Sequence, residues 1–160
     1  MIKRPMSFFG ASLFGVLAAC LALGLTARRS SASSAAIEEE AFSNKTIKGH
    51  YGFNSSLGWL LPPAVPQAVP AAGMGRITFD GEGNCQVASV ADFNGNVAHL
   101  TSSSCTYSVD PDGMGSAEAV FPGAPVSGPL DVSFVVVDHG REIRFANTNV
   151  ILGTFTARRQ

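Results

Sequence analysis

Residues Gly83–Cys105 read GNCQVASVADFNGNVAHLTSSSC. Two cysteines stand ten residues on either side of Gly95, the centre of an Asn-Gly-Asn turn. Asn and Gly both tolerate positive φ, so the triplet carries hairpin chemistry. With Gly95 at the centre, facing residues satisfy i + j = 190, a condition that 85 and 105 meet. Opposed residues on antiparallel strands lie about 4.5 to 5.5 Å apart at Cα, inside the roughly 4.4 to 6.8 Å that a disulfide accepts. A structural Cys85–Cys105 disulfide is therefore expected. No CxxC pair is present, and two cysteines with three scattered histidines make no recognisable zinc spacing, which disfavours redox or metal chemistry and leaves no metal site to name.

Around this hairpin, turn signals recur every ten to fifteen residues: Asp80-Gly81-Glu82-Gly83, Pro111-Asp112-Gly113, His139-Gly140 and Asn147-Thr148-Asn149. Between them lie eight segments of strand length, near 46–54, 74–80, 84–93, 97–109, 114–121, 130–138, 141–147 and 150–158. With His139-Gly140 as a two-residue loop, Val136 falls opposite Ile143 and Phe134 opposite Phe145, so four large apolar side chains share one face. Ile47, Tyr51 and Phe53 share a parity, and so do Ile77 and Phe79, which turns His50, Arg76 and Thr78 outward. The fold class is all-β. Eight short antiparallel strands, each with one apolar face, lose their exposed edges by closing into an up-and-down barrel. The outer stripe of Val135 and Val137 is open to two readings, a contact in a homo-oligomer or scattered exposed valines. Gly58–Gly73, GWLLPPAVPQAVPAAG, holds four prolines, and its Trp59, Leu60 and Leu61 read either as a lid or plug or as a loop on the rim.

The chain has 160 residues, and its first part is a leader rather than a fold. Lys3 and Arg4 precede an apolar run from Met6 to Ala27, long enough to be a membrane anchor and laid out as a signal peptide. Both readings stand for residues 1–34, and either implies export. Leu17-Ala18-Ala19-Cys20 resembles a bacterial lipobox, which makes Cys20 a lipidation candidate; Ala32-Ser33-Ser34-Ala35 offers a competing cleavage site. Residues 35–44 read as a tether with a solvated Glu38-Glu39-Glu40 run, and 45–160 as the barrel domain. An exported domain supplies the oxidising compartment a disulfide needs. From Lys45 onward there are seven Lys or Arg against nine Asp or Glu, so no basic face exists for nucleic acid. Membrane contact is expected only through the leader or a lipid.

Gly49-His50-Tyr51-Gly52-Phe53, then Gly75 to Asn84 (GRITFDGEGN), Cys105 to Gly115 (CTYSVDPDGMG) and Phe134 to Ile143 (FVVVDHGREI), with Gly153 and Arg158, form one pattern. Together these stretches resemble the allene oxide cyclase barrel-like superfamily, which includes the dirigent proteins, and specifically its small exported bacterial members. The likeness spans about 46–160. It implies an eight-stranded barrel with an apolar cavity, often oligomeric, in relatives that cyclise or couple unstable small molecules mainly by holding them in shape. The plant cyclase's acid and ordered-water ligands have no counterpart here, so no catalytic residue is carried across.

No nucleophile elbow, phosphate loop, HExxH or dinucleotide fingerprint is present, and no cofactor is implied. Odd positions of the third and fourth segments read as inward, which turns His99 and Tyr107 toward the lumen as candidate acid, base or hydrogen-bond donors; a bulge would reverse that parity. Tyr51, Phe53, Phe79, Phe93, Phe134 and Phe145 form an aromatic lumen suited to a hydrophobic small molecule. Three functions follow as expectations: an exported binding barrel, an isomerase or cyclase of the resembled type, and a structural or surface-interaction protein with a solid interior.

Overall fold

A computed structural model describes residues 41–126 and 128–160. The leader, Cys20 and the tether as far as residue 40 lie outside the described residues. Among the described residues, eleven strands form one antiparallel sheet that curls on itself. They are β1 (Gly49–Ser55), β2 (Gly58–Leu60), β3 (Val69–Phe79), β4 (Cys85–Phe93), β5 (Asn96–Thr101), β6 (Ser104–Val109), β7 (Met114–Val120), β8 (Leu130–Val137), β9 (Glu142–Asn147), β10 (Ile151–Leu152) and β11 (Thr154–Arg159). Pairing runs β5-β4-β3-β1-β11-β9-β8-β7-β6, and the short β2 and β10 pair with each other beyond the near end of β3. The two far ends of the curl meet where Asn84 bridges Thr106 and Cys85 is bonded to Cys105.

The strand count departs from eight for local reasons. The 97–109 segment bends at Ser102-Ser103, where the chain leaves one neighbour for another: Ser102 N–H donates to Val87 O and Ser103 N–H to Val120 O. The last segment breaks at Gly153 into β10 and β11. The proline-rich stretch contributes β2 as a short hairpin arm, with Leu60 fully buried and Trp59 on the outside. Pro70 is tolerated in β3 because it lies second in the strand, where its carbonyl still accepts from Asn94 N–H at 2.9 Å.

Registers follow the apolar pattern. Phe134 pairs with Phe145 and Val136 with Ile143, although the turn between them occupies four residues rather than two. Asp138, His139 and Gly140 all sit at positive φ (49°, 51° and 81°), a left-handed turn whose third position needs glycine, because a Cβ there would collide with the Thr46 carbonyl. Gly140 O accepts from Tyr51 Oη–H and, at 3.3 Å, from Arg159 Nε. Arg159 also donates to Tyr51 Oη at 2.8 Å and to Thr46 O at 2.9 Å, and its guanidinium lies 5.2 Å from the Tyr51 ring centre.

One end of the curl is packed solid. Phe42, Ser43 and Asn44, read from sequence as tether, belong to the domain: Phe42 N–H bonds Pro111 O, and Asn44 Oδ1 accepts from Val109 N–H at 2.8 Å. The chain then makes a 3-10 turn over Asn44–Ile47 that drives Ile47 wholly inside. Tyr51 meets Phe79 edge-on at 5.5 Å, and Phe79 meets Tyr107 at 4.8 Å. Phe134, Val136 and Ile143 complete this end.

Tyr51 and Tyr107 are the chain's two tyrosines, so tyrosinate absorbance reads them alone. Burial pushes both hydroxyls above the usual phenol range; at Tyr51 it outweighs the opposing effect of the Arg159 bond. A folded pKa above the unfolded value means that the fold favours the neutral phenol. That stabilisation is complete below the unfolded pKa of about 10 and is lost as pH rises through the folded value. The thermal midpoint should therefore fall above about pH 10, with both tyrosines ionising in the unfolding transition; titration near pH 10 in the folded chain would contradict the assigned burial.

Candidate ligand cavity

The inward positions of the strands are graded by size. Toward the solid end they are Ile77, Phe79, Tyr107, Val109 and Ile143. Toward the other end they shrink: Ala71 and Gly73 on β3, Ser89 and Ala91 on β4, Ala117 and Ala119 on β7. Small residues facing one another leave space, and the open half encloses a cavity of ≈ 160 Å³ with an almost wholly apolar wall. Its floor includes Phe145 and Phe155, stacked 5° from parallel with centroids 4.4 Å apart. Phe53 leans on Phe155 at 5.5 Å and crosses the bare strand at Gly75, its Cε1 standing 2.9 Å from where a Gly75 Cβ would be. Exposed Leu57, Trp59 and Leu152 flank the rim residues Gly58 and Gly153.

Of the six aromatic residues expected to line the lumen, Phe53, Phe79, Phe93 and Phe145 do so. Tyr51 and Phe134 do not: they are buried in the apolar cluster of the solid end, at 0% and 2% exposure. Phe121 and Phe155 line the cavity and were not singled out from sequence. Phe155 carried a usable signal, sharing the parity of Ala157 in the last strand, and Phe121 lies past a strand end where parity gives none.

His99 does not face the interior. The Asn94-Gly95 turn, with φ of 54° and 85°, joins strands in which Phe93 pairs with Asn96 and Ala88 with Thr101. Facing residues therefore sum to 189, so odd positions of β4 oppose even positions of β5: Leu100 turns in and His99 is exposed. The extra residue at Ser102-Ser103 shifts the sum to 190 at the Asn84–Thr106 bridge and restores odd parity to β6. Cys105, Tyr107 and Val109 then face inward, as expected.

The same shift brings the cysteines together. Cys85 and Cys105 are bonded, with Cα atoms 4.8 Å apart, and both contribute to the cavity wall. Such a bond belongs to oxidising surroundings. Tyr107 is inward and buried, but its hydroxyl is occupied in the solid end, accepting from Gly81 N–H at 2.9 Å and donating to Asn44 O at 3.2 Å. Neither candidate acid–base residue thus meets the cavity.

The acidic turn at Asp80 is likewise self-contained. Its carboxylate accepts from Glu82 N–H, Asn84 N–H and Asn84 Nδ2 at 2.7 to 3.0 Å, and the Asn84 side-chain bond is the largest cause holding its pKa below the usual carboxylate range. On the outer face Glu142 pairs with Arg144 at 2.8 Å and Arg158 at 3.0 Å. His50 stays outside, 3.0 Å from Thr78 Oγ1. Comparison with protein-family models, curated proteins and solved structures gives no match to this chain.

Proposed function

We propose that this domain is an exported binding protein that holds a hydrophobic small molecule in the open half of its curled sheet. The observation that supports it is the ≈ 160 Å³ apolar cavity, left where the inward residues of β3, β4 and β7 are small. Void space is costly in a protein interior, so an occupant that fills it adds stability. Counting β5 with β6 and β10 with β11 as single bent strands, and β2 as an accessory arm, gives eight units whose pairing returns to β1. On that count we read the fold as the eight-stranded up-and-down barrel of the allene oxide cyclase-like superfamily. Cyclisation or isomerisation within the cavity would rest on its shape alone, since His99 and Tyr107 stand apart from it. Delivery to the periplasm, the medium or a lipid-anchored surface follows the leader.

Native mass spectrometry of the domain purified from its own host tests the binding reading. The wild-type chain should carry a small-molecule adduct, and Ala119→Leu, which puts a larger side chain into the cavity, should lose it while unfolding no more easily. An adduct equally abundant on both proteins, or absent from the wild type, would overturn it.

A further inference from the structure

The cavity's polar groups narrow the class of its occupant. Five polar side chains reach its wall: Ser55, Ser56, Ser89, Asn147 and Thr154. Three are already engaged. Ser55 Oγ donates to Gly73 O at 3.1 Å and accepts from Gly73 N–H at 2.6 Å. Ser56 Oγ donates to Thr154 O at 3.2 Å and lies 3.5 Å from Thr154 Oγ1. Ser89 and Asn147 remain, and among the described residues neither side chain makes a hydrogen bond within the protein. They project from β4 and β9, which are separated along the sheet by β3, β1 and β11 and so form different walls.

From this elimination we infer that Ser89 and Asn147 are the polar anchors of the cavity, and that its occupant is an uncharged, single-ring compound carrying a hydroxyl or carbonyl group. The inference rests on the binding reading above. Three arguments support it. A cavity of ≈ 160 Å³ is the size of one ring, since a cavity of about 150 Å³ suffices for benzene. The stacked Phe145 and Phe155, with Phe53 beside them, present aromatic faces and edges to that ring. No Asp, Glu, Lys, Arg or His is among the lining residues, so an ionised ligand would lose its hydration with no counter-charge in return.

A serine hydroxyl and a carboxamide each offer both a donor and an acceptor. A pure hydrocarbon would shut these two groups off from solvent and return nothing, whereas a hydroxyl or carbonyl supplies hydrogen bonds in place of those lost. Selectivity among molecules of one shape then depends on these two residues, while affinity for all of them comes from the apolar wall.

Titration calorimetry or amide chemical-shift mapping of the oxidised domain with toluene, p-cresol and benzoate provides the test. p-Cresol should bind about threefold to tenfold more tightly than toluene, the worth of one neutral hydrogen bond, and benzoate should not bind. Ser89→Ala or Asn147→Leu should shrink the p-cresol preference while leaving toluene affinity within about twofold. Equal affinity for toluene and p-cresol, binding of benzoate, or an unchanged preference in both variants would overturn the polar anchors and leave the apolar cavity standing. If neither toluene nor p-cresol binds, the binding reading falls too. Loss of toluene together with p-cresol in a variant that melts like the wild type would mean that the residue shapes the wall rather than selecting the ligand.

Discussion

Replacing Cys85 and Cys105 together by alanine should lower the unfolding free energy by about 3 kcal/mol, a fall in thermal midpoint of about 10 to 15 °C for a domain of this size. The entropic part follows from the separation of 20 residues that the disulfide closes. Its position adds a second consequence. Beside the bond, the far ends of the curled sheet meet at one β-bridge, Asn84 with Thr106, and a few backbone bonds such as Tyr107 N–H to Gly83 O at 2.9 Å. Opening the disulfide therefore loosens the contact between the ends of the curled sheet and the cavity wall together. Chemical denaturation of the oxidised, reduced and double-alanine forms reads the effect. Midpoints that agree within the error of extrapolation would show that this contact holds without the sulfurs.

Phe134→Ala should cost about 3 to 5 kcal/mol, the range for emptying a fully buried aromatic site. Phe134 is 2% exposed, contacts Phe145 with centroids 5.3 Å apart, and occupies the space over Gly115 on the neighbouring strand. A Cβ on Gly115 would strike both the Phe134 ring and the Ser108 carbonyl. Gly115→Ala should thus be destabilising in its own right, although alanine is otherwise the more favourable residue in a strand. Because ring and glycine share one space, the two changes should not add: part of the Gly115→Ala penalty disappears once the ring is gone. Unfolding measurements on the two single variants and the double variant give the coupling; strict additivity would refute the fit.

Much of the architecture was legible because β-structure writes itself in period two. The alternation Phe134, Val136, Ile143, Phe145 specifies both strand type and register, since a one-residue slip would turn all four into water. The cysteine pairing was legible too, though for a reason only half right. Gly95 is not the centre of symmetry: the turn is Asn94-Gly95, and the missing residue of register is recovered at Ser102-Ser103. Two serines announce no bulge, because the bend depends on which neighbour each backbone bonds, Val87 for one and Val120 for the other.

The cavity was harder to read. Of six inward aromatic positions, two, Tyr51 and Phe134, lie in the solid end, because aromatic character marks a core face and not the space within it. The space itself is made by what is small. Ala71, Gly73, Ser89, Ala91, Ala117 and Ala119 all face inward from their strands, yet a small residue indicates room only if those facing it are small as well. Which residues face across the lumen depends on the curl and not on neighbouring positions in the chain.

Local chemistry therefore accounts for the strands, the turns, the paired sulfurs and the greasy face, all of which depend on contacts between residues adjacent in the chain or across one hairpin. The capture of the Tyr107 hydroxyl by Asn44, the division into a filled end and an open end, and the two polar side chains, Ser89 and Asn147, that no other described residue bonds emerge only when the sheet curls. The curl sets non-neighbouring strands face to face, and distances between such strands are encoded in no single segment.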